Sequence, residues 1–202
     1  MRFPIPPKKV HRTRLEVKRS VFIASVAHTR LPEDAYAFIK DIRREFDDAT
    51  HNCWAFVAGP PGDTRLIGLS DDGEPHGTAG KPMLNVLLHS DLGEITCVVT
   101  RYYGGTKLGT GGLARAYGQA VGDALDSMER SEYIPVIKVE TTIEYHIQSQ
   151  FKRLLTRFEI EVERETFSDH VNYLLTVPEE YLEEFEGHLS DLSLGKALLS
   201  KL

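Results

Sequence analysis

The sequence predicts an α+β protein of two domains, residues 1–132 and 133–202. Three observations lead there. Strand-like runs and one-faced helices are interspersed through the first 130 residues, and the pattern restarts near residue 132. The last 70 residues then read βαββαβ, the ferredoxin-like arrangement.

Pro4, Pro6 and Pro7 make the first ten residues a poor regular element. LEVKRSVFIASVAH (15–28) predicts one or two strands, with the stronger apolar half from Val21. LPEDAYAFIKDIRREFDD (31–48) sets Ala35, Phe38, Ile39, Ile42 and Phe46 on one helical face, with acids at the positive helix end. HNCWAFVAG (51–59) and TRLIGLSDD (64–72) predict two strands turned around Pro60, Pro61 and Gly62. A short helix at 79–89 precedes a β-branched, aromatic strand, EITCVVTRYY (94–103), and the helix LARAYGQAVGDALDSM (113–128). In the second domain strands are expected at 134–146, 159–167 and 170–178, helices at 147–158 and 178–189, and a weak last strand within 193–201.

The net charge of −6 is unevenly spread, at +6 over residues 1–19 and −6 over each of 20–132 and 133–202. A global polyanion-binding field is excluded, so a nucleic-acid contact needs a local basic surface built from the N-terminal arm and a loop. No apolar run approaches the ~20 residues that span a bilayer, and the N-terminus lacks the apolar core of a secretory signal, so no membrane partner and a cytoplasmic location are expected. Cys53 and Cys97 lie in apolar strand runs, where buried thiols are the rule.

The stretch RYYGGTKLGTGGLARAYG (101–118) joins a strand to a helix and holds six glycines and three cations with no carboxylate. Gly104, Gly105, Gly109, Gly111 and Gly112 leave backbone N–H groups uncovered beside a helix N-terminus, which suits phosphate or another anion. Arg101, Lys107 and Arg115 add full charges, and Tyr103 can stack on a base. The same glycines also fit a tight turn with close packing.

A second cluster, SDDGEPHGTAGKPML (70–84), puts Asp71, Asp72, Glu74 and His76 within six residues, with Thr78 close behind. These groups can supply acid-base or cation-binding chemistry, or cap a helix and shape a turn. Gly77, Gly80 and Lys81 fail the phosphate-loop pattern, since Pro75 and Pro82 stand where glycine and Ser or Thr are required. Gly109, Gly111 and Ala114 match a dinucleotide spacing but lack its distant acid. His51 and Cys53 share one strand face, with a core cysteine the better reading. No metal site, cofactor or catalytic residue is assigned.

SDDGEPHGTAGKPML followed by VVTRYYGGTKLGTGGLARAYGQAV resembles the paired signature of the IMPACT family, and HNCWAFVAG is similar to its third block. The length is similar to that of the family's bacterial two-domain branch. The resemblance implies a two-layer α/β first domain like the second domain of a small-subunit ribosomal protein, and a ferredoxin-like second domain. Together the pair looks like the last two domains of the translocating elongation factor. It implies a surface built from Asp71, Asp72, Gly73, Glu74, Pro75, Gly77, Thr78, Gly80 and Pro82 with Arg101, Tyr102, Tyr103, Gly104, Gly105, Leu108, Gly109, Gly111, Gly112 and Tyr117. Eukaryotic relatives regulate translation by binding a partner of a starvation-sensing kinase that bacteria lack, so that role does not carry over.

The expectation is a non-enzymatic protein that contacts RNA or a ribosome-associated factor through the glycine-rich loop. The alternatives are a phosphate- or nucleotide-handling enzyme that uses the loop and the Asp/Glu cluster, and an adaptor for a protein partner.

Overall fold

The computed structural model describes residues 2–202, which form two compact units, Phe3–Tyr133 and Ile134–Leu202 with Arg2. The first unit runs β1 (Phe3–Ile5), β2 (His11–Val17), β3 (Ser20–His28), α1 (Pro32–Glu45), β4 (His51–Val57), β5 (Ile67–Ser70), α2 (Gly80–His89), β6 (Ile95–Tyr102), α3 (Thr110–Ser127) and β7 (Ser131–Tyr133). Its main sheet has the order β2-β3-β6-β4-β5 and is antiparallel throughout.

Side-chain alternation divides the core. Cys53, Ala55 and Val57 on β4, with Cys97 and Val99 on β6, pack against Met83 and Leu87 of α2 and Ala116, Tyr117 and Val121 of α3. Phe56, Ala58 and Val98 point the other way, onto Ala35, Ile39 and Ile42 of α1. β6 is central and covered on both faces, which explains its unbroken apolar run. α1 adds a layer to the two that the family resemblance implies.

Two local solutions bear on the site. The β2–β3 hairpin turns in two residues, Lys18 and Arg19, both left-handed at φ 47° and 67°, a geometry that matches the twist of the strands. This places two cations at a hairpin tip. The proline-rich start is not irregular, because Phe3, Pro4 and Ile5 pair with Tyr133, Glu132 and Ser131 in a separate two-stranded sheet. Pro4 is tolerated there because each strand has a free edge.

The second unit contains β8 (Val136–Ile143), α4 (Gln148–Arg157), β9 (Glu161–Phe167), β10 (Val171–Pro178), α5 (Leu182–Ser193) and β11 (Ser200–Lys201), so the element order is βαββαβ. The sheet order is β11-β8-β10-β9, all antiparallel. Val139, Ile143, Val171, Tyr173, Leu175 and Val177 face Phe151, Leu155, Phe185 and Leu189 of the helices. The last strand is shorter than expected. Residues up to Ser193 extend α5, and left-handed Leu194 and Gly195 then close it, with the Gly195 N–H donating to the Ser190 carbonyl at 2.8 Å. Among the described residues no helix is long and apolar enough to cross a membrane.

Candidate functional site

The acidic cluster sits between β5 and α2, and Asp71 holds the entry to α2. Asp71 accepts the backbone N–H groups of Gly77 at 2.7 Å, Ala79 at 3.0 Å and Gly80 at 2.8 Å. Burial acts to raise its carboxyl, but the amides of Gly77, Gly80 and Ala79 outweigh burial and hold it below its ordinary value. Asp72 accepts the Arg43 guanidinium at 2.5 Å and the Asn52 N–H at 2.7 Å. Thr78 donates to the Pro75 carbonyl at 2.7 Å, and His76 is fully exposed. Asp71 and Thr78 thus shape the turn into α2, whereas Asp72 ties that turn to α1 and β4.

Glu74 behaves differently. Its side chain is 3% exposed, and its Oε1 accepts Arg101 Nη1 at 2.5 Å and the Tyr117 hydroxyl at 2.8 Å. The acidic turn and the glycine-rich segment therefore meet. Arg101 is held between the rings of Phe22 and Tyr103, at 5.5 and 5.6 Å from their centroids. Its charge is thus matched inside the protein by Glu74, and its side chain is 7% exposed.

Behind this pair the Cys53 thiol lies 2.9 Å from the Asp71 carbonyl and 3.3 Å from the Tyr117 hydroxyl. Cys53 is fully buried, and burial pushes its thiol up, which suits a core residue. His51 shares its strand face, with Nδ1 2.8 Å from the Asp72 carbonyl.

The glycine-rich segment divides into two parts with different needs. Gly104 packs on the β2–β3 turn, where a Cβ would fall 2.1 Å from the Arg19 carbonyl carbon. Its N–H donates to Ser20 Oγ at 3.1 Å, and Arg19 reaches Thr106 Oγ1 at 3.3 Å. This glycine is required by close packing. Gly105 and Gly109 are left-handed, at φ 82° and 73°. Gly109 begins α3, whose first internal bond runs from the Leu113 N–H to the Gly109 carbonyl at 2.9 Å. The amides of Thr110, Gly111 and Gly112 thus have no intrahelical acceptor, and no side chain caps them.

A pocket of about 490 Å³ brings these groups together, with His51, Glu74, Arg101, Tyr103, Lys107 and Thr110 in its wall. Lys107 is exposed and Tyr103 is 48% exposed, while Arg115 is exposed on α3 outside the lining. Of the N-terminal arm, Lys18 and Arg19 stand beside this region through the Gly104 contact. Arg12 and Arg14 are engaged by Glu45 and Glu16. Thr50 and His51 join the wall without having been expected in a binding role; the pairing of β4 with β6, which sets His51 opposite Arg101, is what brings them in. Among the described residues no group of three or more His, Cys, Asp or Glu side chains is placed to hold a metal ion. A smaller concavity of about 290 Å³ in the second unit contains Glu144, already engaged by Lys196 at 2.8 Å and His146 at 3.0 Å.

The profile described as "Impact N-terminal domain" matches residues 18–125, which contain the whole pocket. The chain belongs to the IMPACT family. A second profile, "Domain of unknown function (DUF1949)", matches residues 141–196. An IMPACT family member of Haemophilus influenzae is 43% identical over 192 residues, 93% of this chain and 91% of that protein. IMPACT family member YigZ of Escherichia coli is 43% identical over 184 residues, covering 91% and 90% of the two chains. IMPACT family member YvyE of Bacillus subtilis is 33% identical over 190 residues, covering 94% and 87%. A crystal structure titled as that of a hypothetical protein matches with a TM-score of 0.69 at 40% identity, covering 100% of this chain and 97% of that one.

Proposed function

We propose that this IMPACT family protein is a non-enzymatic binding protein whose first domain contacts RNA, or a phosphate-bearing part of the translation machinery. The observation that carries the reading is the uncapped start of α3, where Gly109 and Thr110 share the wall of the 490 Å³ pocket with Lys107. Free amides at a helix N-terminus favour an anion, and Lys107 supplies the full charge. Lys18 and Arg19 extend the basic surface to the hairpin tip, and the half-exposed Tyr103 ring offers a stacking face. The acidic second domain then acts as a spacer or a protein docking surface.

The metal-assisted enzyme reading draws less support, because Asp71 and Asp72 are spent on backbone amides and Arg43, and the charge of Glu74 is already balanced by Arg101. The test is RNA binding over a salt series. Lys107→Ala combined with Arg19→Ala should weaken binding to all sequences alike and lower the slope of log K against log salt by about 1 per lost phosphate contact. Unchanged affinity and slope in that variant would refute the reading.

A further inference from the structure

The pocket contains a feature that a plain anion site would exclude, a carboxylate oxygen with nothing bonded to it. Glu74 Oε1 takes both of the residue's hydrogen bonds, from Arg101 and Tyr117. Oε2 takes none among the described residues, and the polar group facing it is His51 Nε2 at 3.9 Å, beyond hydrogen-bonding reach. His51 Nδ1 is 2.8 Å from the Asp72 carbonyl, which can only accept, so Nδ1 carries a proton and Nε2 is the ring nitrogen turned toward Glu74. Glu74 Oε2 and His51 Nε2 therefore stand side by side in one wall, and among the described residues neither is hydrogen-bonded to another protein group.

From this we infer that the pocket takes a 5′-phosphorylated ribonucleoside with a free 2′,3′-cis-diol, a chemistry shared by a free mononucleotide and by the 3′-terminal residue of an RNA strand. The inference rests on the phosphate-binding reading above. The diol presents two neighbouring O–H donors to Glu74 Oε2 and His51 Nε2, the way a carboxylate commonly holds a ribose. A neutral donor pair suits the site better than a cation, because Arg101 at 2.5 Å already balances Glu74. Inorganic phosphate alone fills the Lys107 end but leaves both groups unpaired, and a 3′-phosphate sets negative charge against Glu74. At about 490 Å³ the pocket lies within the ~300–1,000 Å³ of small-molecule sites and holds one residue, not a length of strand.

The test uses the full chain at fixed ionic strength. Affinities are measured for AMP, 2′-deoxy-AMP and AMP carrying a 3′-phosphate, and for one short RNA ending in a cis-diol, a 2′-deoxy residue or a 3′-phosphate. The expected result is about a tenfold loss when one hydroxyl is removed, and a larger loss with the 3′-phosphate. His51→Ala, which removes one of the two partners and leaves the Glu74–Arg101 pair intact, should reduce the preference for the diol over the deoxy ligand. Lys107→Ala should weaken both in parallel.

A diol preference for AMP alone supports the pocket assignment and overturns the RNA reading, whereas the preference on the RNA end alone assigns the ligand to strand termini. Equal affinity for all three ends, with salt-dependent RNA binding retained, overturns the diol assignment and leaves RNA binding standing. Failure of every RNA and every nucleotide to bind overturns both.

Discussion

Glu74 and Arg101, 27 residues apart in sequence, form a 2.5 Å ion pair inside the first domain that joins the acidic turn to the strand leading into the glycine-rich loop. Both side chains are buried, so neither charge can return to water when the other is removed. Arg101→Ala or Glu74→Ala should each cost about 3–5 kcal/mol of stability, measured by urea unfolding. Replacing both together, by Met at 101 and Leu at 74, should cost clearly less than either alanine variant, because no charge is orphaned. A loss below about 1 kcal/mol in the single variants would contradict the burial of the pair.

Gly104 has a different role. Its missing side chain lets the loop rest on the Arg19 backbone, where a Cβ would meet the carbonyl carbon at 2.1 Å. Gly104→Ala should therefore lower the melting temperature and separate the hairpin tip from the loop, whereas Gly111→Ala, with open space around its Cβ position, should leave stability within about 1 kcal/mol of the parent. Thermal unfolding of the two variants side by side checks the difference.

Asp71 links stability to acid. Its folded carboxyl lies below the ordinary value of 3.8, since three backbone amides outweigh the effect of its burial. A depressed carboxylate contributes stability that is present above the unfolded value and is lost as pH falls through the folded one. Asp71→Ala should thus cost about 1–2 kcal/mol near neutral pH, the scale of a lost helix cap, and the gap from the parent should close as pH drops below 3.8. Urea unfolding at a series of pH values reads this directly.

The cysteines should be silent. Burial pushes the Cys97 thiol up to about 12 and raises Cys53 as well, and both are buried. Neither should react with iodoacetamide at neutral pH until the protein is unfolded, and mass spectrometry before and after denaturation checks it.

The elements that were legible in sequence are those whose pattern is local. The one-faced spacing of Ala35, Ile39 and Ile42 gives α1, and alternation with a proline turn gives the β4–β5 hairpin. β1 was hidden because Pro4 argues against a strand, and only its distant partner Tyr133 makes one. The site was legible as two segments and not as one pocket. Nothing in the run of acids from Asp71 to Glu74 distinguishes the three carboxylates; the difference arises when β4 pairs with β6 and brings His51 opposite Arg101 and over the acidic turn. Arg101 reads as a free cation beside glycines for the same reason, since its counter-charge lies in another element.

The proposed function requires that the uncapped start of α3 receive a negative group. Its most direct test is an amide-resolved NMR titration of the full chain with a short RNA at constant ionic strength. The Thr110, Gly111 and Gly112 amides should shift together and saturably with those of Lys107 and Tyr103, while the amides of residues 134–202 stay still. Saturable shifts confined to residues 134–202, or resonances 107–112 that do not move while RNA binds, would contradict it.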